Sequence, residues 1–132
     1  MSRVLFAVPL VLAALAAGCG ASASSAGDFE GEERRVADVV EKLQSAGETG
    51  DAAEICEEVL ASDLREEMRA AGANCEQELD KAIQDADDFE LDVRDVTIQG
   101  NEATVRVRRG EDGPVATFEF VRESGQWRAT RF

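Results

Sequence analysis

Histidine and tyrosine are absent from all 132 residues, tryptophan occurs once, and bases are scarce: 14 Lys and Arg stand against 28 Asp and Glu, for a net charge of −14. Each shortage excludes a class of chemistry. Without an imidazole no side chain titrates near neutral pH at its ordinary value, and Ser45, Ser62 and Ser124 have no imidazole partner with which to build a nucleophilic triad. With no His, and two thiols left once Cys19 is set aside, the usual Cys/His set of a tetrahedral zinc site is not closed. Neither a metal nor a cofactor is expected. The acidic balance argues against nucleic acid and against polybasic docking on anionic lipid. Six Phe and one Trp are too few for a stacking platform that would bind carbohydrate or nucleic-acid bases.

What is present begins with one long apolar run. Met1-Ser2-Arg3 precedes a nearly unbroken apolar stretch from Val4 to Ala16, followed by Ala17-Gly18-Cys19. The run is shorter than the roughly 20 residues a spanning helix needs, and it carries Pro9. It reads as a secretory signal. Leu15-Ala16-Ala17-Gly18-Cys19 resembles a lipobox, although Ala16 stands where leucine is commonest. That resemblance implies a signal peptide over 1–18, a lipid on Cys19, and an extracytoplasmic domain anchored to the bacterial cell membrane through that lipid. An ordinary cleaved secretory signal is the alternative. A lone Arg3 gives no twin-arginine signal, so export would follow the general route in the unfolded state.

Residues 19–31, rich in Gly, Ala and Ser, read as a flexible tether, and 32–132 as a single domain. In an oxidising compartment Cys56 and Cys75 are most simply a disulfide, with two free buried thiols as the alternative. The bridge would close an 18-residue loop and add roughly 3 kcal/mol.

Four helical segments are expected, followed by four strands. Val36, Val39, Val40 and Leu43 recur at helical spacing up to Gly47. Asp51 is placed to cap a second helix carrying Ile55, Cys56, Val59 and Leu60, and Ser62 to cap a third with Leu64 and Met68, ended by Gly72. Asn74 and Gln77 suggest a capping box before a helix with Cys75, Leu79, Ile83 and Ala86 in one stripe. From Phe89 the period becomes two. Leu91 and Val93 alternate with acids, then the phase slips to Val96 and Ile98, the mark of a β-bulge. Ala103, Val105 and Val107, then Ala116, Phe118 and Phe120, then Trp127 and Ala129 continue the alternation, with turns at Gln99-Gly100-Asn101, Glu111-Asp112-Gly113-Pro114 and Glu123-Ser124-Gly125. The fold class is α+β, with N-terminal helices on a curled antiparallel sheet of about four strands.

Several stretches carry a further likeness: Gly50-Asp51-Ala52-Ala53-Glu54-Ile55-Cys56, Asn74-Cys75-Glu76-Gln77-Glu78-Leu79, Gly100-Asn101-Glu102-Ala103-Thr104-Val105-Arg106-Val107 and Gly125-Gln126-Trp127-Arg128. Over roughly 32–132 the chain resembles small secreted lipoproteins of high-GC bacteria with a nuclear transport factor 2-like (SnoaL-type, cone-shaped) domain. The resemblance implies a cone-like fold and a homodimer through the open sheet face. It says little about activity, because this superfold hosts enzymes and binding domains alike.

Two sets of residues are candidates for chemistry. Asp92 and Asp95, beside the expected bulge, are the carboxylates that a cone-fold isomerase or hydratase would use as a cavity base. Alternation with apolar residues places them in solvent instead. Arg106, Arg108 and Arg128 could line an anion pocket, or form a charged ladder with Glu119 on the outer face. The acidic Asp85-Ala86-Asp87-Asp88 lacks the Gly and Glu of a calcium loop and reads as a solvated helix end. The expected function is therefore a non-catalytic, lipid-anchored envelope protein. Its domain would bind a small ligand or an envelope protein, with a cavity-carboxylate enzyme and a purely structural accessory domain as the other readings.

Overall fold

The structure, a computed structural model, describes residues 25–132. Residues 1–24, with the expected signal peptide over 1–18 and the expected lipidation site Cys19, lie outside the described residues. The elements run α1 (Gly31–Thr49), a short α2 (Ala52–Glu54) continuing into a π-helical turn (Ile55–Val59), α3 (Ser62–Ala70), α4 (Cys75–Asp85), then β1 (Leu91–Gln99), β2 (Glu102–Arg109), β3 (Val115–Glu123) and β4 (Gln126–Arg131). The four strands form an antiparallel meander in the order β1-β2-β3-β4. The α+β class and the strand count are as the sequence indicates.

One face of the sheet is closed by α1. Val36, Ala37, Val40 and Ala46 of that helix join Val93, Ala103, Val105, Val107, Phe118, Phe120, Trp127 and Ala129 in one buried cluster, with Ile55, Val59 and Leu60 sealing it from the side. The expected phase slip is real: the β1–β2 register shifts between Val93 and Asp95, leaving Arg94 as the extra residue. A bulge of this kind bends the strand and increases its twist.

Local chemistry explains most boundaries. Asp51 Oδ1 accepts the Glu54 N–H at 3.0 Å, and Asn74 Oδ1 accepts the Gln77 N–H at 3.1 Å, so both caps form as expected. The first helix, however, runs through Gly47 to Thr49, and Gly50 closes it in the left-handed region at φ 73°. Gly47 serves packing instead: the Phe89 ring occupies the space that a Cβ at this position would need. The second helix stops short of expectation. After one widened turn Leu60 is extended, and Leu60–Ala61 runs beside β4, with the Ala61 N–H donating to Ala129 O at 2.8 Å.

Ser62 is not a cap. The cap position is Ala61, and the carboxylate of Glu123, from the end of β3, accepts both the Ser62 N–H (3.1 and 3.2 Å) and its hydroxyl (2.9 Å). A negative charge at a helix N-terminus also complements the helix dipole. Nor is the segment before residue 32 a free tether throughout. Ser25–Asp28 forms a single 3-10 turn, Ala26 is 1% exposed within the core cluster, and Phe29 packs against it.

Candidate functional site

Three elements surround an open cleft of about 340 Å³: Arg35, Asp38, Val39 and Lys42 from α1, Glu58 from the π-helical turn, and Gly125, Gln126 and Trp127 from the β3–β4 hairpin. The spacing of Arg35, Asp38, Val39 and Lys42 sets them on one flank of α1, beside the stripe that enters the core. Trp127 is buried because its β4 position alternates with exposed Gln126 and faces α1.

Charge lines this cleft in pairs. Lys42 Nζ reaches Glu58 at 3.2 Å across its mouth, and Asp38 meets Arg34 at 3.4 Å. At the adjoining end, Glu32 gathers three donors. Its Oε2 accepts the Trp127 indole N–H at 3.0 Å and Arg122 Nη2 at 2.9 Å, while Arg35 Nη1 lies 3.1 Å from Oε1. The Arg122 guanidinium also sits over the Trp127 ring, 4.8 Å from its centroid. The Trp127 hydrogen bond holds the Glu32 carboxyl below its ordinary pKa, with the charges of Arg122 and Arg35 adding to it and desolvation opposing. This cluster fixes the first turn of α1 to the β3–β4 hairpin and sets the wall against which the indole rests.

The residues singled out in the sequence lie elsewhere. Arg106 and Arg108 do not converge with Arg128. Arg108 donates to Asp92 at 3.1 Å and Arg106 to Asp95 at 3.4 Å, on the face of the sheet opposite Val105 and Val107, with Arg94 adding a 3.0 Å bond to Asp92. They form a charged ladder, but its acids come from β1. Glu119 instead faces Arg131, at 3.8 Å. Asp92 and Asp95 are thus ion-paired on the outer face and do not line the cleft. Arg128 donates to the Glu57 carbonyl at 2.6 Å and to Gln126 at 3.0 Å, which ties β4 to the π-helical turn.

Cys56 and Cys75 are joined in a disulfide, their Cα atoms 6.2 Å apart. It binds the start of α4 to the π-helical turn. Among the described residues no group of three or more Cys, Asp or Glu is placed to hold a metal ion, and no helix is long and apolar enough to cross a membrane.

Sequence reasoning missed the cleft because its lining comes from three separated elements. Lys42, Glu58 and Glu32 each read as ordinary solvated positions. The one available signal was Arg122, a base on the inward-facing phase of β3 after Phe118 and Phe120. No family model matches the chain, and no curated protein or solved structure matches it.

Proposed function

We propose that this chain is an extracytoplasmic protein anchored through a lipid on Cys19, whose domain binds a small charged ligand, or a charged side chain of an envelope protein, in the cleft between α1 and the β3–β4 hairpin. The observation that carries this reading is the Lys42–Glu58 pair across a recess whose inner wall is an indole. Such a pair, about half exposed on both sides, contributes little to stability. It can open without loss to the core and exchange Glu58 for a ligand carboxylate or phosphate. The cleft acids Asp38 and Glu58 each face a base, an arrangement suited to charge recognition rather than to proton abstraction. The cone-like shape belongs to the same reading, supported by the β1 bulge and by a helix laid across one face of the sheet.

The test has two parts. Cys19→Ala should move the protein from the membrane fraction to the soluble one. Thermal melts of the mature protein against small carboxylates, phosphates and zwitterions should show one class raising Tm by several degrees. Ligand at 100 times its Kd adds about 2.7 kcal/mol. Lys42→Ala should abolish that shift. Flat melts across the panel would favour a purely structural accessory domain.

A further inference from the structure

The domain stands against the lipid surface on a short tether, and we propose that the Ser25–Asp28 turn with the first turn of α1 is its membrane-facing side. This deepens the lipid-anchor reading and rests on it. From composition the tether spans 19–31, long enough to let the domain turn freely. The fold removes half of that length, because Ala26 is buried in the core, Phe29 packs on it, and the turn contacts both α1 and β1.

Only residues 20–24 separate Cys19 from Ser25. Six Cα steps reach at most about 22 Å, whatever conformation they take. A domain of about 100 residues has a radius of gyration near 13 Å, so it is wider than this tether is long. It cannot present its far side to the bilayer to which it is attached.

The side held there carries exposed Asp28, Glu30 and Glu33 together with Glu32, against Arg34, Arg35 and the Arg122 that pairs with Glu32, so that acids are in small excess. Within a Debye length of about 8 Å at physiological salt these acids are repelled by anionic headgroups. The surface is therefore one that stands off from an anionic bilayer with the tether drawn out, and settles on a zwitterionic one. By contrast α4, whose contacts are chiefly with α2, the π-helical turn and α3, belongs to another part of the domain.

The experiment uses the full lipidated protein in vesicles with an acceptor dye on the headgroups. A donor fluorophore is placed on a non-natural residue at Gly27, where a side chain meets nothing, or at Lys81, both exposed. Transfer should be stronger from position 27 than from 81, weaker from 27 when anionic lipid is added, and restored by salt. Inserting 20 Gly/Ser residues after Ser24, which adds about 25 Å of mean reach, should erase the difference. Equal transfer from both positions, with mass spectrometry showing an acylated Cys19, would overturn the orientation alone. A mature chain without the acyl group would overturn the anchor reading itself.

Discussion

The body built from α1 and the sheet and the outlying pair α3–α4 are held by different forces. Five residues of α1 are buried, and none of α3 or α4. Leu64, Met68, Leu79 and Ile83 only half enter the core margin. Charge divides the same way: residues 51–88 carry thirteen acids against three bases, whereas 89–132 carry eight against seven. The body stands on apolar burial. The helical pair has little of that and repels itself, so it depends on two fasteners: the Cys56–Cys75 bridge at the start of α4 and the Glu123 carboxylate at the start of α3. The general lesson is that a chain can keep a thinly buried, highly charged layer in place by fixing the ends of its helices.

The sharpest way to break this contrast is in the body. Phe118 is 1% exposed, at the centre of the sheet, so Phe118→Ala should cost about 3–5 kcal/mol in urea unfolding and loosen both regions together. The Cys56→Ala/Cys75→Ala double variant should cost about 3 kcal/mol, from an 18-residue loop. Hydrogen exchange should locate the opening: α3 and α4 amides exchange faster, while β2 and β3 stay protected. Uniform acceleration through the sheet would show that the two regions are one cooperative unit.

Glu123→Ala removes the acceptor for the first turn of α3 and should cost about 1 kcal/mol, seen as fraying of that helix with α4 unchanged. The smallest effect concerns Glu32, read through pH. Its pKa is lower in the folded state, so its contribution is complete above the ordinary carboxylate value and is lost as pH falls through the folded value. Glu32→Gln should thus be less stable than the parent at pH 7, and the difference between the two melting curves should shrink as pH falls below the ordinary carboxylate range.

Which parts of this were legible in the residues follows from the range of the interactions. Asp51 and Asn74 cap within three residues, and the bulge at Arg94 shows as a slip of one in a period of two, so each could be read locally. Ser62 looked like a cap because its true partner, Glu123, is 61 residues away. Leu60 fits a helical stripe and a strand edge equally well, and only the site left open beside Ala129 decides. Gly47 read as a stop because nothing local announces the Phe89 ring that fills its place. Arg106 and Arg108 lie apart from Arg128 for a related reason: strand phase assigns a face, while Arg128 reaches a carbonyl of the π-helical turn.

The borders of the sheet bear on how this protein behaves in a crowd. On one side the Leu91 N–H is taken by the Gln44 side chain at 2.9 Å, and the bulge with Asp92, Arg94 and Asp95 breaks the line of β1. On the other, Leu60–Ala61 occupies the place beside β4 where a further strand would dock. Anchored as proposed, copies held in a plane would meet far more often than copies in bulk, and open strands would let them zip into continuous fibrils. Each border is interrupted at one place, which shortens the run of strand that a neighbouring copy could extend.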